Sequence, residues 1–291
     1  MEKVEVGGSG KVVRFLASDG FRLSGLLFGK GKTAKTCMIY LHGMGGSMIN
    51  GISLAFAKNA GSDCAFFSFS NRGHDLVSSL WRFSGGKRKR LIAGLAFEKF
   101  EDSMQDIGGA IDALQKLGFR RFILCGHSTG CQKAIYYQYK KSDKRVVGIA
   151  LLAPADDYNL NKKDYGRGYS AMLSKCKEMI RKGKGNEVAD RKLGFSAQRL
   201  DSILNQKRSE ARIFDYNGKL SEFASVKTPI LAVFGSEEEH KLMPVKRYLE
   251  ILDVRSRSVR FRGYEMPGAD HSFFGKEEEL AAYVNKWAAG I

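Results

Sequence analysis

The sequence predicts an α/β fold with a mostly parallel central sheet that is flanked by helices. Short apolar segments rich in β-branched and aromatic residues alternate with longer segments of helical period, a pattern typical of parallel strands joined by crossover helices. The chain has 291 residues, and 43% of them are hydrophobic, which is enough to build a substantial core. This composition excludes a disordered or collagen-like chain.

Eight segments are predicted to be strands. They are residues 12–16, 23–28, 36–41, 64–68, 121–125, 146–152, 230–234 and 259–262. The first two alternate apolar and polar side chains and are joined by Ser18, Asp19 and Gly20, so we expect an antiparallel hairpin at one edge of the sheet. The other six should form its parallel part.

Residues 98–117 are predicted to be an amphipathic helix that leads into the fifth strand and ends at Gly118. Its apolar residues recur every three or four positions, at Phe100, Met104, Ile107, Ile111 and Leu114.

Residues 158–226 interrupt the alternation, because they are helical in period and contain no segment that we predict as a strand. They carry 15 basic and 8 acidic residues, a basic surplus of seven. We expect an insertion between the strand that ends at Leu152 and the strand that begins at Ile230. The chain is therefore divided into an α/β core, residues 1–157 and 223–291, and a helical, basic cap, residues 158–222.

A strand-to-helix turn carries the chemistry. Residues 121–125 run into Gly126-His127-Ser128-Thr129-Gly130, and the residues that follow can continue as a helix. This is the context that the G-x-S-x-G nucleophile elbow requires. The two glycines permit a sharp turn that exposes Ser128 Oγ, and the new helix points backbone N–H groups at a developing anion. The pattern favours a nucleophilic Ser128 over a simple glycine turn.

Together with other segments, this elbow resembles the serine α/β-hydrolases of the esterase, lipase and acylglycerol hydrolase branch. Residues 41–46, LHGMGG, resemble the oxyanion loop of that family, and residues 69–74 its loop after the next strand. Residues 228–235 resemble the strand that delivers its acid, and residues 269–273 its histidine loop. The resemblance spans nearly the whole chain and implies an α/β-hydrolase fold with a helical cap inserted between two late strands.

A serine nucleophile needs a histidine that accepts its proton and returns it to the leaving group. Of the five histidines, His271 follows the last predicted strand and completes the expected chain order of serine, acid and histidine. We therefore predict His271 as the base, with a loop histidine that caps the final helix as the alternative. His42 is expected to brace the oxyanion loop, and His127 to point away from Ser128 Oγ.

The acid is predicted to be Glu238, which occupies the position where the family usually places an aspartate. Glu237 and Glu239 adjoin it in the same acidic turn and stay open as partners of His271. Asp156 and Asp157, which follow the strand ending at Leu152, are further alternatives.

For the oxyanion hole the resemblance implies two backbone N–H groups, those of Thr129 and Met44. The alternative for Met44 is a side chain that packs over the mouth of the pocket.

The chain is strongly basic, with 48 Lys and Arg against 31 Asp and Glu and a net charge of +17. Residues 87–90, KRKR, form the tightest basic run. The surplus fits a cap that attracts an anionic ester, a patch that meets an acidic membrane or nucleic acid, or a solvated surface. No recognition helix, RNP aromatic pattern or zinc finger is present, which argues against nucleic acid as a partner.

Cofactors and metals are not expected. The five cysteines show no CxxC spacing, no Cys/His cluster suggests zinc, and the glycine-rich loop at residues 43–46 lacks the lysine of a P-loop. We expect buried free thiols. No apolar run is long enough to span a membrane and no leader pattern is visible, so the prediction is a cytoplasmic protein without a transmembrane segment.

The leading hypothesis is a serine hydrolase that cleaves small carboxylic esters through an acyl-enzyme. An acyltransferase that uses the same triad, and a non-catalytic binding protein of this fold with a basic cap, are the alternatives.

Overall fold

The computed structural model describes residues 10–29, 34–61 and 63–291. The strands are β1 (Lys11–Leu16), β2 (Arg22–Phe28), β3 (Thr36–Leu41), β4 (Cys64–Ser70), β5 (Ser78–Ser84), β6 (Lys87–Ala93), β7 (Arg121–His127), β8 (Val146–Leu152), β9 (Val188–Asp190), β10 (Phe195–Ser196), β11 (Ile230–Gly235) and β12 (Phe261–Met266). Eight of these strands form one sheet in the order β1-β2-β4-β3-β7-β8-β11-β12.

The helices are α1 (Gly51–Lys58), α2 (Ser103–Lys116), α3 (Thr129–Lys141), α4 (Asp157–Tyr165), α5 (Tyr169–Arg181), α6 (Ala197–Leu204), α7 (Ser209–Ile213), α8 (Ser221–Ser225), α9 (Val245–Arg255) and α10 (Glu277–Ala288). Short 3₁₀ turns lie at Leu95–Phe97, Phe100–Asp102 and Gly166–Gly168. In the described ranges of the chain, no helix combines the length and the apolar character needed to cross a membrane.

The predicted sheet is confirmed. β1 and β2 form the antiparallel edge hairpin, β2 is also antiparallel to β4, and the strands from β4 to β12 in the sheet order run parallel. The register pairs Leu41 at the end of β3 with Gly126 near the end of β7. Because the carboxyl ends of neighbouring parallel strands meet at one edge, this register brings the glycine-rich loop at residues 43–46 beside the elbow.

The core lies on both faces of the sheet, as expected for buried parallel strands. Alternate residues of β3 face opposite sides: Ile39 belongs to one apolar cluster, with α2 and α3, whereas Met38 and Tyr40 belong to the other, with α1 and α10. All five cysteines are free, and every one except the half-buried Cys64 is buried, as predicted.

The chain between β8 and β11 forms a helical cap with an apolar cluster of its own. Phe195 and Leu200 belong to that cluster, and Leu95 and Met44 of the core pack against it. The expectation that this insertion contains no strand is wrong, because β9 and β10 form a small antiparallel hairpin. Strands of three and two residues are too short to produce a period that can be recognised in a sequence.

The hairpin of β5 and β6 is a second feature that the strand predictions omit. The basic run at residues 87–90 lies in β6, and Gly85 and Gly86, both with positive φ, make the turn. Leu80 packs against the core while most of the hairpin is exposed. The predicted helix at residues 98–117 also begins later than expected: α2 starts at Ser103, because a 3₁₀ turn precedes it and Glu98 turns inward toward Lys133.

Candidate active site

Ser128 lies between the end of β7 and the first residue of α3, so the strand-to-helix context predicted for the elbow is confirmed. Its backbone has φ +54° and ψ −127°, a conformation that is strained for a residue with a Cβ atom. The strain is held by close packing: a Cβ atom on Gly130 would lie 2.0 Å from the carbonyl oxygen of Leu41. Only glycine fits there, and the tight turn leaves Ser128 half-buried at the edge of the sheet.

The loop at residues 43–46 packs directly on the elbow. A Cβ atom on Gly43 would lie 3.0 Å from Ser128 Cβ, so the loop backbone approaches Ser128 closely. The N–H groups of Met44 and Thr129 have no hydrogen-bond acceptor among the residues that the structure describes. For Thr129 this follows from its place at the start of α3, because the first N–H groups of a helix have no intrahelical partner.

His271 lies in the loop after β12, and its side chain is buried against Glu238. Nδ1 of His271 is 2.8 and 3.0 Å from the two carboxylate oxygens of Glu238. Burial lowers the pKa of His271, but the hydrogen bond and the charge of Glu238 outweigh it, so the pKa is raised above 6.5. The backbone N–H of His240 also donates to Glu238 at 2.9 Å, which stabilises the buried carboxylate.

The other candidate acids have different partners. The Glu239 carboxylate accepts from the backbone N–H of His271 at 2.9 Å, and Glu237 lies within 3.4 Å of the Ser236 hydroxyl at the surface. Asp156 caps α4, where it accepts from the backbone N–H of Asn159. Asp157 accepts a 2.8 Å hydrogen bond from the Gln132 side chain. Of the five acids, Glu238 is the one that the structure places on the imidazole ring.

Two further histidines are held neutral. His42 is fully buried, its Nδ1 lies 2.9 Å from the Gly43 carbonyl oxygen, and its Nε2 accepts from the backbone N–H of Asn71. Burial and the nearby Lys133 lower its pKa to about 3. The His127 Nε2–H donates to the carbonyl oxygen of His271, and burial and the neighbouring His271 lower the pKa of His127 to about 4. Both rings therefore fix loops around Ser128.

A cavity of about 470 Å³ opens onto Ser128. Ser128 and His271 both line it, as does Met44 of the glycine-rich loop. Its other walls are Gly43, Gly46, Asn50, Gly51, Ile52, His127, Ser272, Phe274 and Glu277. The cavity is large enough for a small organic molecule.

Comparison with known proteins places this geometry in a family. A family model described as "Protein of unknown function (DUF1749)" matches residues 94–286, which include the elbow, the acidic turn and the histidine loop. The chain belongs to the DUF1749 family. No curated protein matches it.

Solved structures show that this DUF1749 protein has the α/β-hydrolase fold. Carboxylesterase CesB (YbfK) from Bacillus subtilis is 17% identical, with 97% of this chain and 90% of that one covered and a TM-score of 0.57. Est1E from Butyrivibrio proteoclasticus is 14% identical, with coverage of 97% and 98% and a TM-score of 0.59. Mouse alpha/beta hydrolase domain-containing protein 10 is 15% identical, with coverage of 96% and 99% and a TM-score of 0.59.

A buried charge network links the nucleophile helix of this DUF1749 protein to its cap. Lys133 of α3 lies 2.5 Å from Glu98 Oε1, and Glu98 Oε2 lies 3.9 Å from Arg199 of α6. Arg199 in turn makes a two-pronged ion pair of 2.6 and 2.8 Å with Glu210 of α7. All four side chains are almost completely buried.

The same network reaches the glycine-rich loop. Lys133 Nζ lies 3.4 Å from Asn71 Oδ1, and the backbone N–H of Asn71 donates to His42. Sequence reasoning missed Lys133, Glu98 and Arg199. A lysine in the otherwise uncharged stretch of α3 from Thr129 to Tyr139 was the available signal, because an unpaired lysine is rarely buried.

Proposed function

We propose that this protein is a serine hydrolase that cleaves carboxylic esters through an acyl-enzyme. The observation that carries the proposal is the buried contact of Glu238 with Nδ1 of His271, made beside Ser128 at the wall of one cavity. A carboxylate in this position fixes the imidazole tautomer that leaves Nε2 free to accept a proton.

In the acylation step, Ser128 Oγ attacks the ester carbonyl carbon as His271 Nε2 takes the hydroxyl proton. The negative charge that develops on the carbonyl oxygen is stabilised by the N–H groups of Met44 and Thr129. The bond from carbon to the alkoxy oxygen then breaks, and His271 delivers the proton to that oxygen so that an alcohol leaves. Glu238 stabilises the imidazolium that exists between the two proton transfers.

In the deacylation step, water repeats the chemistry in reverse order. His271 takes a proton from water, the hydroxide oxygen adds to the acyl carbon, and the bond to Ser128 Oγ breaks as Oγ regains the proton. The products are a carboxylic acid and the free serine.

The comparisons support an ester substrate at the level of chemistry class. Two of the structures with the same fold bear the titles carboxylesterase CesB and Est1E, at 17% and 14% identity. The cavity at Ser128 suits a small ester, because its volume of about 470 Å³ matches a small-molecule pocket.

The experiment combines labelling by a fluorophosphonate probe with hydrolysis of p-nitrophenyl acetate and butyrate. Wild type should be labelled and should hydrolyse these esters, and Ser128→Ala should lose both activities. Ser272→Ala is the matched control, because Ser272 lines the same cavity but lies outside the elbow. Equal labelling and turnover by wild type and Ser128→Ala would overturn the proposal.

A further inference from the structure

The cavity at Ser128 has an electrostatic character opposite to that of the whole chain. Despite the net charge of +17, none of the described residues that line the cavity is a lysine or an arginine. Glu277 contributes its one carboxylate. The basic run at residues 87–90 lies on the exposed β6, outside this cavity.

Glu277 differs from the two glutamates that follow it. Glu278 is paired with Lys58 at 2.9 Å, and Glu279 is paired with Lys276 at 3.0 Å. Glu277 makes no ion pair and no side-chain hydrogen bond with any of the residues that the structure describes. Of the three consecutive acids, the one that faces the cavity is the one without a cation.

Close packing fixes the position of this carboxylate. A Cβ atom on Gly51, the first residue of α1, would lie 2.6 Å from Glu277 Oε1. Gly51 and Glu277 both line the cavity, so the carboxylate lies at its wall and not out in solvent. Glu277 is half-buried, which reduces screening by water and strengthens its interaction with a charge inside the cavity.

An aromatic ring adjoins the carboxylate on the same wall. Phe274 lines the cavity and is 80% exposed, so its ring is free to contact a ligand. An aromatic face and a carboxylate are the two groups with which proteins bind ammonium ions. The neighbouring His127 adds no opposing charge at neutral pH, since its pKa is about 4.

We propose that Glu277 and Phe274 select ester substrates that carry a positive charge, such as an ammonium group, on the part of the molecule that lies against this wall. The inference rests on the proposed ester hydrolysis at Ser128 and adds the substrate class. It replaces the anionic ester suggested by the composition with a cationic one, because the groups that line the cavity, and not the net charge, contact the substrate.

The first experiment compares esters of equal shape and different charge. Acetylcholine and 3,3-dimethylbutyl acetate place the charge on the alcohol, whereas betaine ethyl ester and ethyl 3,3-dimethylbutanoate place it on the acyl group. For each pair, kcat/KM of the cationic ester is divided by that of its neutral isostere, which removes effects common to both. In at least one pair, Glu277→Gln should lower this ratio about fivefold to tenfold relative to wild type.

Glu279→Gln is the matched control. It removes the same charge from the same first turn of α10, but Glu279 does not line the cavity, so the ratio should keep its wild-type value. Phe274→Leu should lower the ratio less than Glu277→Gln, because it removes the aromatic face and keeps the carboxylate. An unchanged ratio for Glu277→Gln in both pairs would overturn the inference.

A binding measurement separates this inference from the proposed function. Calorimetric titration of Ser128→Ala with phenyltrimethylammonium requires no hydrolysis, and adding Glu277→Gln should weaken the affinity about fivefold whereas adding Glu279→Gln should not. If wild type hydrolyses no ester but this pattern is found, the hydrolase proposal fails and the cation site stands. Absence of binding to Ser128→Ala, or equal binding to all three variants, would refute the cation site.

Discussion

The carboxylate of Glu238 contacts Nδ1 of His271 with both oxygens, at 2.8 and 3.0 Å, and is itself only 1% exposed. The adjacent Glu239 accepts from the backbone N–H of the same histidine. Two consecutive glutamates therefore hold one loop, the first through the ring and the second through the main chain. This arrangement fixes the His271 ring in one orientation at the wall of the cavity.

The contact predicts a characteristic pH dependence. His271 can accept a proton only when it is neutral, so kcat/KM should fall below its pKa, which Glu238 raises above 6.5. In Glu238→Gln the raising charge is absent, and the acid limb of the pH profile should move to lower pH. The maximal rate should fall by about 10²-fold or more, because the amide no longer stabilises the imidazolium.

Glu237→Gln is the control for this profile. Glu237 is exposed and does not contact the imidazole, so both its rate and its acid limb should match wild type. A similar loss in Glu237→Gln and Glu238→Gln would show that the assignment of the acid is wrong.

The elbow predicts a large difference between two glycine substitutions. Gly130→Ala places a Cβ atom 2.0 Å from the Leu41 carbonyl oxygen, so we expect a loss of about 3 kcal/mol in the free energy of unfolding, with esterase activity abolished. Gly168→Ala meets no atom within 4 Å and has an ordinary backbone φ of −78°. It should change stability by less than about 0.5 kcal/mol in urea denaturation. Equal stability of the two variants would contradict the packing described for the elbow.

The charge network predicts that one substitution is worse than two. Arg199→Met leaves Glu210 buried without its cation, and we expect a loss of about 3 to 5 kcal/mol in the free energy of unfolding. Arg199→Met combined with Glu210→Leu removes the unpaired charge and should recover much of that loss. Urea denaturation of both variants checks this, and a double variant less stable than the single one would refute it.

Asp157 predicts how stability changes with pH. Burial and the nearby Glu210 raise its pKa from 3.8 to about 7, so the folded protein binds a proton that the unfolded chain has released over this interval. Stability should therefore decrease as pH rises from about 4 to about 7. Asp157→Asn, which keeps an acceptor for Gln132, should reduce this decrease by about 1 kcal/mol, because Asp157 retains some contact with solvent. Denaturation at pH 5 and pH 8 measures it, and identical slopes for both proteins would exclude Asp157 as the source.

Local patterns made much of the sheet and of the candidate site predictable. The strand before Ser128, its flanking glycines and the late position of His271 are all visible within short segments, because hydrophobic period and turn chemistry depend on neighbouring residues. The acidic turn was predicted as a group. The choice of Glu238 over Glu237 and Glu239 required the resemblance, since side-chain direction within a turn is set by tertiary packing.

Other features depend on contacts between distant segments and were not predictable. Nothing near Glu98 in the sequence indicates Lys133 or Arg199, and the ion pairs form only when α3 and the cap meet. The hairpin of β5 and β6 was missed because its basic residues hide the alternation typical of a half-buried strand. The cavity wall at Glu277 also required the fold, since Gly51 and Glu277 begin two different helices.

The boundary between core and cap passes between Glu98 and Arg199, whose nearest atoms are 3.9 Å apart. Lys133 and Glu98 stay together on the core side, and Arg199 and Glu210 stay together on the cap side. A hinge motion that lifts the cap would therefore divide the network into two halves with no net charge each. Water could fill the gap without meeting an isolated ion, so the electrostatic resistance to opening is small and the apolar contacts of Leu95 and Met44 set the closing force.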